Sequence, residues 1–177
     1  ALPGEGCFQD VFRGRGIRIP RRAEVLRTFP TLRVNLEVKP ETPGLAEIVV
    51  DVVRRSAAVG RVCIGSESDE VAARLLKAAP DACHFYPRQA LTDAVLAIRE
   101  GRGAPDSPFA VLDMPLFFFG TRLVDPDFLR ASSAAGKWVN VWTVDDPDDM
   151  RWCIENRVGG VMTDRPDLLR EAIDAAR

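Results

Sequence analysis

Apolar positions along the chain repeat with two periods that take turns. Short runs that alternate every second residue, or are apolar throughout, predict strands at Val34–Lys39, Arg61–Ser66, Ala82–Tyr86, Ala110–Met114, Trp138–Val144 and Gly160–Thr163. Stripes with helical spacing predict helices between them, at Leu45–Val59, Asp69–Ala79, Ala90–Glu100, Asp127–Ala135, Asp148–Asn156 and Asp167–Ala176. A shorter helix at Arg21–Phe29 precedes the first strand, with Ala23, Val25, Leu26 and Phe29 on one side. Strands alternating with helices build parallel βαβ units. Residues 1–18 read as a loop-rich N-terminal segment, and residues 19–177 as one domain.

Six units fit neither common α/β form directly. A closed (β/α)8 barrel needs eight strands and typically about 250 residues. An open doubly wound sheet carries a glycine-rich phosphate turn after its first strand. The turn after Lys39 is Pro40-Glu41-Thr42-Pro43-Gly44, which lacks that fingerprint. A TIM (β/α)8-type barrel with strands three to eight present and the first two units missing accounts for the length and the glycine-rich start.

The strand Val34–Lys39 carries the main chemical signal. Val34, Leu36 and Val38 share one face, and Asn35, Glu37 and Lys39 the other. A carboxylate and an ammonium on an otherwise apolar strand need a partner or a purpose. Pro40 places them at the carboxyl end, where α/β folds put their chemistry.

Composition narrows the function. A net charge of −2 gives no general attraction to nucleic acid or anionic membrane. No apolar stretch is long enough for a transmembrane segment, and the N-terminus lacks the blocks of a signal peptide, so the expectation is a cytoplasmic location or a targeting segment already removed. The four cysteines show no C-x-x-C spacing and read as buried free thiols, not as zinc ligands or disulfides. His84 is the only histidine and reads as a hydrogen-bonded, partly buried residue. Asp125, Asp146 and Asp164 read as helix caps near prolines. Leu116–Phe119 is an apolar segment that either packs on the domain or forms an exposed lip.

Several blocks together resemble the glycerophosphodiester phosphodiesterase family. V-N-L-E-V-K resembles that family's third barrel strand, commonly N-I-E-I-K. Ile19-Pro20 and Ala23-Glu24-Val25-Leu26 resemble the run that precedes it. Val139 to Asp146 (V-N-V-W-T-V-D-D) resembles the seventh strand, and Gly160 to Asp167 (G-V-M-T-D-R-P-D) the eighth. The resemblance implies a TIM barrel that hydrolyses small-molecule glycerophosphodiesters to glycerol 3-phosphate and an alcohol, with a divalent cation, calcium or magnesium. It also implies that Glu37 is a metal ligand, that Lys39 acts catalytically on a phosphate oxygen, and that Trp142 and Ser66 contact substrate. Glu67 stands where the family often has an aromatic residue.

The family's H-R-G motif, its second histidine and its E-x-D carboxylate pair have no counterpart upstream of Ile19. The chain alone is therefore expected to hydrolyse little. A structural Glu37–Lys39 pair and a core Trp142 are the competing readings of those residues. A non-catalytic, barrel-derived binding or structural module, and another phospholipase-like phosphodiesterase of the same superfamily, are the competing functions. Uncovered edges on the first and last strands call for a second copy in a homo-oligomer, a partner, or a missing N-terminal segment.

Overall fold

The strands expected from sequence are present and parallel in the computed structural model, which describes residues 14–16, 18–39 and 42–177. Most of the loop-rich N-terminal segment, and Pro40, lie outside the described residues. The helices are α1 (Arg22–Thr28), α2 (Leu45–Arg55), α3 (Asp69–Ala78), α4 (Arg88–Arg99), α5 (Pro126–Ala134), α6 (Pro147–Glu155) and α7 (Pro166–Ala175). The strands are β1 (Val34–Glu37), β2 (Val62–Gly65), β3 (Cys83–His84), β4 (Val111–Pro115), β5 (Phe117–Phe118), β6 (Thr121–Arg122), β7 (Trp138–Trp142) and β8 (Gly160–Val161).

β1, β2 and β3 pair in parallel, as do β4, β7 and β8. Phe85 bridges to Val111, and the bonds Ala110 N–H to the His84 carbonyl (2.8 Å) and Tyr86 N–H to the Val111 carbonyl (2.9 Å) join the two sets. The result is a six-stranded parallel arc in the order β1-β2-β3-β4-β7-β8.

The arc is strongly curled. β1 and β4 are three strand steps apart, about 14 Å along a flat sheet. Yet the Asn35 side chain on β1 reaches the Asp113 carboxylate on β4 at 2.6 Å. Among the described residues the arc does not close, and β1 and β8 remain its edges.

The helices cover the outer face. Leu36, Val38, Val62 and Ile64 pack against Ala46, Val49 and Val53 of α2 and Val71 and Leu75 of α3. Leu112, Met114, Val139 and Val141 pack against Ala94 and Ile98 of α4, Phe128 of α5 and Met150 and Cys153 of α6. One strand face therefore feeds the helix layer, while the alternate residues turn into the hollow of the arc.

Several boundaries differ from the sequence reading for local reasons. β1 stops at Glu37, although Val38 N–H still donates to the Gly65 carbonyl at 2.8 Å. α2 ends at Arg55 because Ala57 takes a positive φ of 50° and Val59–Arg61 winds as a 3-10 turn. Asp125 and Asp146 cap α5 and α6 as expected, accepting from Phe128 N–H and from the Asp148 and Asp149 N–H groups. Asp164 does not cap α7, whose N-cap is Arg165 with no side-chain bond. Instead Asp145 accepts both the Thr163 hydroxyl and the Asp164 N–H, each at 2.8 Å, and thereby organises the turn after β8.

The apolar run after β4 is an exposed lip. Leu116 is buried, but Phe117 and Phe118 form half of an antiparallel hairpin with β6 and stay exposed. Its turn is Phe119-Gly120, with φ of 46° and 76° and Phe119 93% exposed.

Candidate active site

Charged side chains gather at the carboxyl ends of β1, β2 and β3. Glu37 points into the hollow and pairs with Lys39, Oε2 to Nζ 3.2 Å. Lys39 lies just past the strand, and its side chain is 78% exposed, so its ammonium can swing without breaking packing. Glu37, Lys39, Ser66, Glu67, Asp69 and Arg88 line a cleft of about 430 Å³. Arg88 pairs with Glu67 at 2.9 Å on its rim.

Ser66 is buried beneath this cleft. Its hydroxyl donates to the Val38 carbonyl at 2.6 Å and accepts the Ser68 N–H at 3.2 Å. That pair of bonds latches the ends of β1 and β2 and fixes the backbone from which Lys39 extends. Ser68 then caps α3 by accepting Val71 N–H.

Trp142 sits apart from Glu37 and Lys39. It is 37% exposed in a second cleft of about 370 Å³, with Pro115, Phe117, Asp145 and Asp149. Arg122 braces this side, holding Asp149 at 2.9 Å and stacking on Phe117 and Trp152. The structure thus brings Glu37, Lys39 and Ser66 together and places Trp142 on the neighbouring stretch of the rim.

One layer below lies a polar cluster that sequence reasoning missed. Asp113 is 9% exposed and accepts from Asn35 Nδ2 at 2.6 Å and Asn140 Nδ2 at 2.8 Å. Burial pushes its carboxyl above the ordinary aspartate range; the two amides oppose the rise and the Glu37 charge adds to it. Asn35 is two residues before Glu37, and Asn140 two before Trp142, so each shares a face with the site residue above it. The readable signal was a polar residue at the inward position of three separate strands. Gly160 completes the layer, because a Cβ there would overlap Asn140 Oδ1.

His84 lies on the opposite, helix-facing side of β3. It is fully buried, with Nδ1 3.1 Å from the Ile64 carbonyl oxygen and Nε2 2.7 Å from that of Ala79. The sequence reading made it only partly buried. Its ring cannot reach the mouth of the arc.

Calcium and magnesium take six or more oxygen ligands. Among the described residues no group of three or more histidine, cysteine, aspartate or glutamate side chains is arranged for a metal, and Glu37 already faces an ammonium.

A curled parallel sheet, wrapped in helices and charged at its strand carboxyl ends, is the architecture of β/α-barrel enzymes. Residues 6–168 match the sequence model of the glycerophosphoryl diester phosphodiesterase family, and the chain belongs to that family. It is similar to a probable glycerophosphodiester phosphodiesterase 2 of Mycobacterium tuberculosis, 32% identical over 170 residues, with 92% of the chain and 62% of that relative covered. The chain therefore spans a little under two thirds of this relative's length.

Among solved structures it resembles the glycerophosphoryl diester phosphodiesterase domain of an uncharacterised M. tuberculosis protein. That match has a TM-score of 0.75 at 17% identity and covers 93% of this chain and 66% of the other. It also resembles an Oleispira antarctica phosphodiesterase in complex with the product sn-glycerol-3-phosphate. There the TM-score is 0.61 at 22% identity, over 88% of this chain and 62% of the other. At these identities the likeness establishes the fold. No helix among the described residues is long and apolar enough to cross a membrane.

Proposed function

We propose that this chain carries the phosphate-facing and alcohol-facing part of a glycerophosphodiester-hydrolysing site, on strands three to eight of a TIM-type barrel. The observation that carries this reading is the Glu37–Lys39 pair at the carboxyl end of β1, in a chain matched to the family over residues 6–168. When an oxygen nucleophile adds to a phosphodiester, negative charge grows on the non-bridging oxygens. The mobile Lys39 ammonium is suited to meet that charge, with Glu37 holding it at the mouth. Trp142 offers an apolar ring to the glycerol or the departing alcohol. Ser66 serves the site through the backbone it latches, and a substrate contact would fall to its neighbours Glu67 and Arg88.

Proton transfer needs groups that the described residues lack at the mouth, since the one histidine is locked between two carbonyls. The calcium or magnesium ion expected from the family would take Glu37 as one ligand and would help to neutralise the phosphodiester. We infer that the chain alone hydrolyses little. The sides of β1 and β8 that are unpaired among the described residues support a covering segment or a second copy, which light scattering distinguishes.

The test is release of glycerol 3-phosphate from glycerophosphocholine, with calcium or magnesium, by the chain and by a polypeptide extended upstream through an H-R-G segment. The extended form should be active, and Lys39→Met in it should lower kcat by about 100-fold with the fold intact. An inactive extended form that still folds would instead support the non-catalytic module.

A further inference from the structure

Cys63 and Cys83 are brought together by the fold although twenty residues separate them in sequence. They are direct partners in the parallel β2–β3 ladder, and both side chains turn into the hollow of the arc. Their sulfurs are 3.0 Å apart and both thiols are free. Paired residues on neighbouring strands stand about 4.8 Å apart, inside the span of about 4.4–6.8 Å that a disulfide bridges. The expectation of buried free thiols fails for this pair in burial only: both are free, but Cys83 is exposed and Cys63 half-buried. Among the described residues, Cys63 and Cys83 both line a cleft of about 800 Å³, wide enough for a small oxidant.

We propose that Cys63 and Cys83 form an oxidation site, a dithiol that closes to an intrachain disulfide when it meets a peroxide. Cys83 is the attacking sulfur. It is the more exposed of the two, and the hydrogen bond with Cys63 holds its pKa down to about 7. The same contact, together with burial, pushes Cys63 up and keeps it protonated.

The Cys83 thiolate attacks one peroxide oxygen. An S–O bond forms, the O–O bond breaks, and the departing hydroxide takes a proton to become water. The Cys63 sulfur then attacks the sulfenic sulfur of Cys83. The S–S bond forms, the S–O bond breaks, and the second hydroxide leaves as water with the Cys63 proton. The sulfurs lose two electrons in all, and the peroxide gains them. Cys153 is the internal contrast, on the buried face of α6 with its thiol pushed up to about 11 by burial.

The experiment treats the folded chain with a stoichiometric amount of hydrogen peroxide, blocks remaining thiols with iodoacetamide, and maps tryptic peptides by mass spectrometry. The expected product links peptide 62–74 to peptide 78–88 and disappears on treatment with dithiothreitol. It should form about 10-fold faster than any oxidation of Cys153. A Cys7→Ser/Cys153→Ser double variant, which leaves both strands untouched, should form the same link. Cys83→Ser should leave Cys63 alkylatable. Oxidation to separate sulfinic acids, a link through Cys7 or Cys153, or two thiols that stay alkylatable in the double variant would each overturn the proposal.

Discussion

Replacing Asp113 tests the idea that a buried polar layer sets the curl of the arc beneath the candidate site. In Asp113→Ala the Asn35 and Asn140 amides lose their shared acceptor, which they meet at 2.6 and 2.8 Å. A hydrogen bond to a charged group contributes about 1.5–3 kcal/mol, and an amide left dry costs about 1–3 kcal/mol. The open cleft lets water reach part of the layer, and loss of the buried charge offsets some of the damage. The net expectation is a loss of about 2 kcal/mol.

Asp113→Asn behaves differently. Its amide can accept from one asparagine and donate to the other once that side chain flips, so its stability should stay within about 1 kcal/mol of the parent. The two variants also differ in pH dependence. A folded carboxyl held above its unfolded value binds its proton more tightly in the native state. Stability then falls as pH rises from the unfolded value through the folded one, and the penalty is complete above it. Asp113→Asn removes that slope, so its stability relative to the parent should improve as pH rises from about 4. Urea unfolding at a series of pH values measures both effects. An Asp113→Ala midpoint equal to that of the parent, or an Asp113→Asn variant with the parent's pH slope, would refute the reasoning.

Three further substitutions probe neighbouring parts of the argument. Gly160→Ala should cost about 1–2 kcal/mol by pushing Asn140 off Asp113, and the loss should shrink in an Asn140→Ala background, as a double-mutant cycle by urea unfolding will show. Phe119→Asn should raise stability by about 1 kcal/mol, because asparagine tolerates the left-handed turn position better than phenylalanine; a lower melting temperature would count against the hairpin geometry. His84→Ala should destabilise by about 3 kcal/mol through its cavity and the abandoned carbonyls, yet leave per-molecule hydrolysis by the extended polypeptide unchanged; a folded but inactive variant would return His84 to the chemistry.

Sequence pattern read the elements well because each strand and helix is short and flanked by strong signals. Val34-Asn35-Leu36-Glu37 alternates as half-buried strands do, and Asp125-Pro126 and Asp146-Pro147 announce helix starts that the structure keeps. What failed was long-range. Nothing within Thr163-Asp164-Arg165 says that Asp145, on the preceding strand end, takes the bonds that Asp164 seemed placed to make. Nothing local says that Cys63 faces Cys83, because that contact depends on the register between two strands separated by α3. Phe117 to Phe119 read as apolar without revealing the hairpin that turns them outward.

The candidate site was legible residue by residue but not as a structure. Glu37 and Lys39 stood out as charges on an apolar strand, whereas Trp142 drew notice only through the motif around it. The support beneath them joins what sequence left separate. Asn35 carries Glu37 on β1, Asn140 carries Trp142 on β7, and the Asp113 carboxylate holds both asparagines at once. β1 and β7 are not neighbours in the sheet, so a ladder of backbone bonds reaches from one to the other only across three intervening strands. The Asp113 bridge crosses the hollow directly. It ties the strand that carries Glu37 to the strand that carries Trp142 through one buried side chain.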